Sequence, residues 1–144
     1  MAGEQSPETV YLDRDDVTGI YGEIFGCTDD VARNQLRDPK GLDAALMRPS
    51  SYAFYQSGDL ALQAGVLAHG IAEGQYFVDG NKRTALAAMH TFLVTNGFEI
   101  QASQPQRAQW ILDLATPGST SEEKISNLAG KIRVSLIPHP DQVD

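Results

Sequence analysis

The sequence predicts an all-α protein with one small β element. Apolar residues recur at three- and four-residue spacing through most of the chain. Capping residues precede those stretches, and Gly or Asn-Gly follows them. Only SSYAFYQS, residues 50–57, breaks the helical rhythm. At 144 residues with 42% apolar content, the chain is one domain long enough to bury a core.

Residues 1–10 read as a frayed leader, 11–136 as the domain and 137–144 as a polar tail. Asp13 and Asp16 have the spacing of a capping box ahead of Val17, Ile20, Tyr21 and Ile24, and Gly26 ends that helix. Pro39 starts a short helix through Leu42, Ala45 and Leu46, which Pro49 closes. In 50–57, Tyr52 and Phe54 alternate with small or polar neighbours, which predicts a hairpin or extended flap. Ser51, Tyr52, Ala53 and Phe54 are its expected docking edge for a partner or substrate chain. Ser57 or Asp59 caps the next helix, which carries Leu60, Ala64, Leu67 and Ile71 and ends at Gly74. The helix over 81–96 has almost no polar face, so it is expected at the centre, with Asn96-Gly97 as its stop. Helices over 105–115 and 121–136 follow, the second opened by Thr120 and Glu123.

Composition narrows the function. A net charge of −8 gives no broad basic face for nucleic acid. No apolar run approaches the roughly 18 residues of a membrane span, and MAGEQSPETV lacks the apolar region of a secretory signal. Cys27 stands alone, so no intrachain disulfide forms and a reducing cytoplasm is the expected compartment.

The chemistry concentrates in EGQYFVDGNKRTALAAM, residues 73–89. A helix that hides in a core begins here with Asn81, Lys82 and Arg83. The first N–H groups of a helix have no internal partner, and its dipole is positive there. Gly80 lets a ligand approach the backbone, Asn81 offers amide hydrogen bonds, and Lys82 and Arg83 add charge and a planar fork for phosphate oxygens. Asp79 would repel a bare phosphate, but suits Mg²⁺ bridging to one. Phe77 anchors the loop in the core. The bland alternative is an Asp-Gly turn with solvated cations in a helical interaction module, which leaves this order of residues unexplained.

The run resembles the signature of the Fic/Doc family: His, any, Phe, any, acid, Gly or Ala, Asn, then Lys-Arg-Thr-Ala in the Doc branch. Phe77, Asp79, Gly80, Asn81, Lys82, Arg83, Thr84 and Ala85 match it at the right spacing. LRDPKGLDAALMRP (36–49) and NGFEI (96–100) are also similar, so the likeness covers roughly 10–136. Lys82, together with Leu86 where the AMP-transferring branch has a second Arg, points to the Doc side. The resemblance implies a compact helical fold that binds a nucleotide triphosphate, such as ATP, or another phosphate-bearing ligand with Mg²⁺. It implies a flap near 50–57 that aligns a target by strand addition. It also implies phosphoryl or AMP transfer to a hydroxyl, elongation factor Tu as a possible target, and a small antitoxin-like partner.

Gln75 falls at the catalytic His of the signature, with Gly74 and Tyr76 where Asn and Pro are usual. A Gln amide hydrogen-bonds but accepts no proton at physiological pH, and a general base is worth ~10²–10⁴-fold. Three readings stay open: an attenuated transferase, natural or made; a pseudoenzyme that binds nucleotide or partner; or a biosynthetic enzyme using the phosphate site on a small molecule. His69 and Glu73 are weak substitutes by position, while His90 and Cys27 read as structural and His139 lies in the tail.

Overall fold

The computed structural model describes residues 8–140. Within that span α1 is Arg14–Phe25, α2 Asp29–Gln35, α3 Pro39–Gln56, α4 Leu60–Gly74, α5 Asn81–Thr95, α6 Gln104–Leu112 and α7 Ser121–Ser135. Two short strands, β1 (Phe98–Ile100) and β2 (Leu136–Pro138), pair antiparallel with Glu99 opposite Ile137. Much of the expected leader and tail, residues 1–7 and 141–144, lies outside the described residues. Residue 10 is held to the body of the protein, because Val10 and the Asn96 side chain exchange two hydrogen bonds of 2.8 and 2.9 Å.

Caps set most helix starts. Asp13, Thr28, Asp38, Asp59, Ser103 and Thr120 each accept a backbone N–H from the first turn of the helix they precede. The capping boxes at Asp13/Asp16 and Thr120/Glu123 form as the spacing predicts. Gly26 closes α1 in the left-handed conformation.

α4 and α5 share the centre. α4 packs against α3, α5 and α7, and almost every side chain from Ala61 to Ala72 is buried. Its small residues allow close crossings: a β-carbon at Gly65 would lie 3.2 Å from the Ile125 carbonyl of α7, and one at Gly70 3.5 Å from Ala45 of α3. α5 buries Ala85, Ala88, Met89, Phe92 and Leu93 on one face and leaves Leu86, Ala87 and His90 half-exposed on the other.

The flap expected at 50–57 is not there. α3 runs through Pro49 to Gln56 without a break, so Ser51, Tyr52, Ala53 and Phe54 are helical and offer no strand edge. Pro49 does remove one helical hydrogen bond, but its ring is fully buried and continues the stripe of Leu42, Ala45 and Leu46. The hydroxyls of Ser50 and Ser51 both donate to the Met47 carbonyl in the same turn. Tyr52 donates to Glu122 of α7 at 3.1 Å. Phe54 and Tyr55 face solvent, stacked edge to face at 4.8 Å. The small β element lies instead at β1 and β2. Helix α2 fills residues that the sequence left unassigned.

Candidate functional site

Among the seven α-helices of the described residues, α5 alone begins without a side-chain cap. Gly80 occupies its N-cap position at φ +78, and the helical ladder starts only with the Thr84 N–H on the Gly80 carbonyl at 3.0 Å. The first-turn N–H groups of Asn81, Lys82 and Arg83 are therefore open to an acceptor from outside. Lys82 and Arg83 are exposed and form no ion pair among the described residues. Thr84 is buried, with its hydroxyl on the Gly80 carbonyl at 2.8 Å, which fixes the turn.

The loop 75–80 is built tightly. Phe77 is fully buried. Its backbone N–H and carbonyl are both taken by the Asn81 side chain at 3.0 Å. The sequence suggested an Asn81 amide turned to the ligand; the structure makes its side chain a loop clamp.

Helix α1 underlies the same loop. Tyr21 is stacked on Phe77 with ring centres 4.4 Å apart and an interplanar angle of 11°. Its hydroxyl donates to Asp79 Oδ1 at 3.3 Å. Burial, followed by the charge of Asp79, raises the Tyr21 pKa, so the phenol stays a donor at neutral pH. Phe25, one turn on, lies 4.5 Å from Tyr21 and carries the Arg83 guanidinium 4.7 Å above its ring. A β-carbon at residue 80 would meet Phe25 Cζ at 2.5 Å. The sequence reading placed Tyr21 in a helix core and gave Phe25 no role; no short motif links α1 to the loop.

Gln75 ends α4 in the left-handed region at φ 56, one of two non-glycine residues with positive φ in the described span. Its side chain is exposed, and its carbonyl accepts from Arg37 Nε at 2.9 Å. The stretch Gln35–Asp38 runs antiparallel to the loop: Arg37 N–H donates to the Tyr76 carbonyl at 2.8 Å and Val78 N–H to the Gln35 carbonyl at 2.9 Å. The extended chain beside residue 75 is thus this stretch, and Arg37 is a neighbour that the sequence reading did not single out.

From Arg83 a groove of about 840 Å³ runs between α5 and α6 over Leu86, Ala87, Ile100, Pro105 and Ala108. His90 and Glu99 pair on its wall at 2.8 Å. Burial works to raise the Glu99 pKa, but the Ile100 N–H and His90 hold it below the ordinary value. His69 is buried within α4, which lowers its pKa. Among the described residues no three His, Cys, Asp or Glu side chains converge as a metal cage. Asp79 alone offers a hard oxygen, which fits a cation held mainly by ligand phosphates. No helix of the described residues is long and apolar enough to cross a membrane.

This fold, with a signature loop feeding an uncapped helix, belongs to a known class. The profile of the Fic/DOC family matches residues 11–93, and the chain belongs to that family. Within it the chain lies on the Doc branch: it is 35% identical to Toxin Doc of Mycolicibacterium smegmatis (strain ATCC 700084 / mc(2)155) over 126 residues, covering 85% of this chain and 93% of the relative.

Proposed function

We propose that this protein is a Doc-type transferase scaffold that binds a magnesium nucleotide, or another phosphate-bearing ligand, at the start of α5. The uncapped first turn of α5, flanked by Lys82 and Arg83, is the observation that carries the reading. The N–H groups of residues 81–83 would bind phosphate oxygens, with Arg83 as a fork and Lys82 as a point charge. Asp79 would share a Mg²⁺ ion with those oxygens, and the ion would supply charge neutralisation. The apolar groove beyond Arg83 has room for the rest of the ligand.

Transfer would move a phosphoryl or nucleotidyl group to a hydroxyl, and the hydroxyl proton needs an acceptor. Gln75 sits at the mouth of the loop and provides none. Positioning and charge carry most of phosphoryl transfer, so this site binds well and turns over slowly. The relationship to a protein named Toxin Doc supports a toxin-type protein paired with a small antitoxin-like partner, and elongation factor Tu stays a candidate target. A biosynthetic enzyme acting on a small phosphorylated molecule would use the same cradle.

Calorimetry with Mg·ATP tests the binding step. Arg83→Ala is expected to weaken binding by about 1.5–3 kcal/mol, as for a lost charge-assisted hydrogen bond. Equal affinity in the variant would remove Arg83 and this turn from the site.

A further inference from the structure

Helix α1 faces the signature loop with two aromatic residues one turn apart, and each touches a different charged group. Tyr21 is almost fully buried between Phe77 and Phe25, yet its hydroxyl reaches Asp79 Oδ1 at 3.3 Å. Phe25 lies under the Arg83 guanidinium and against the α-carbon of Gly80. Asp79 has no other side-chain partner among the described residues, and Arg83 has only the ring. A solvent-exposed Arg and a loop Asp would otherwise sample several rotamers, and binding would have to overcome that entropy.

We infer that Tyr21 and Phe25 are positioning residues with separate tasks: Tyr21 orients the Asp79 carboxylate for the metal, and Phe25 holds the Arg83 guanidinium for the phosphate. The inference rests on the phosphate-site reading given above. Tyr21 reaches one carboxylate oxygen and leaves Asp79 Oδ2 for a cation, as an outer partner of a metal ligand does. Phe25 offers a face that a planar cation stacks on without using its N–H donors. The two tasks therefore separate by whether metal is present.

The test measures ATP affinity by calorimetry, once with excess Mg²⁺ and once with EDTA. Tyr21→Phe keeps the ring stack and removes only the hydroxyl. It is expected to weaken Mg·ATP binding about tenfold, the lower end for loss of an outer partner of a metal ligand, and to leave metal-free ATP affinity unchanged. In an Asp79→Asn background the same change should have no further effect. Phe25→Leu is expected to weaken binding about equally in both media, and Phe25→Tyr, which keeps the aromatic face, to restore it. A general packing defect would not produce this crossed pattern. Equal losses in both media for Tyr21→Phe, or no loss, overturn the inference while leaving the phosphate site in place. Failure of the unsubstituted protein to bind ATP in either medium overturns the phosphate-site reading, and this inference with it.

Discussion

The ring of Tyr76 lies against the α-carbon of Gly74. A β-carbon at residue 74 would lie 2.1 Å from Cε2 and Cζ of the ring and 2.5 Å from its hydroxyl oxygen. On its other side the ring meets Gly41 of α3, where a β-carbon would lie 2.8 Å from Cε1. The residues flanking Gln75, both departures from the family pattern, are thus fitted to each other. Gly74→Ala should therefore destabilise the protein by about 1–3 kcal/mol through overpacking, although alanine is the better helix former. In a Tyr76→Ala background the same change should become stabilising by up to about 1 kcal/mol. Urea unfolding of the four proteins measures the coupling, and simple additivity would show that ring and glycine do not meet.

Gly80 is constrained twice, by φ +78 and by Phe25 at 2.5 Å from any β-carbon. Gly26 has a similar φ, +67, with nothing within 4 Å. Alanine at residue 26 should cost only backbone strain, about 1–2 kcal/mol. Alanine at residue 80 should cost more, and should also weaken Mg·ATP binding because Phe25 and Arg83 move with it. Thermal melting of both variants compares the costs; equal values would mean that Phe25 does not bear on the turn.

Asp59 caps α4 and also takes two hydrogen bonds from Arg133 of α7, at 2.6 and 2.9 Å. Arg133, against the opposing effect of burial, holds its pKa below the ordinary 3.8. A depressed carboxylate pKa stabilises the fold above that ordinary value, and the contribution is lost as pH falls through the lower folded value. The pair is half-exposed, so its worth is about 0.5 kcal/mol. Arg133→Gln should lower the unfolding free energy by that amount at pH 7. The gap to the unsubstituted protein should close on acidification below pH 3.8. A gap that persists unchanged in acid would assign the loss to packing.

Under the proposed function, Gln75→His would supply a proton acceptor at the mouth of the loop. Histidine tolerates the left-handed region better than most residues, and the backbone around it is fixed by Arg37 on the residue 75 carbonyl and by Asn81 on the Phe77 N–H. Transfer from labelled ATP to a protein hydroxyl in a cell lysate should rise ~10²–10⁴-fold. An absence of any new labelled band, with ATP binding intact, would reject the disarmed transferase and favour a partner-binding protein or a small-molecule enzyme.

Most of the helices and the signature loop were legible because they depend on local rules. Caps at Asp13, Asp59 and Thr120 and the stop at Gly26 all form as their sequence spacing predicts. The flap was misread because Pro49 is a helix stop by local rules, while its burial against the core keeps α3 intact. The β pair was missed because β1 and β2 are joined across two helices, a pairing with no turn signal between them. The motif singled out Asp79, Lys82 and Arg83 as candidates, and the structure sets them at the start of α5. The support from Tyr21, Phe25 and Arg37 was not legible, since it depends on how distant segments pack.

The most direct measurement is the backbone amide spectrum of the isotope-labelled protein during a titration with Mg·ATP. If the start of α5 is the phosphate site, the amides of Asn81, Lys82 and Arg83 shift most and saturate together. Asp79 and Gly80 follow with the same affinity, and Arg83→Ala weakens the whole set. Saturating shifts confined to other surfaces, or none at residues 79–84, would contradict the central claim.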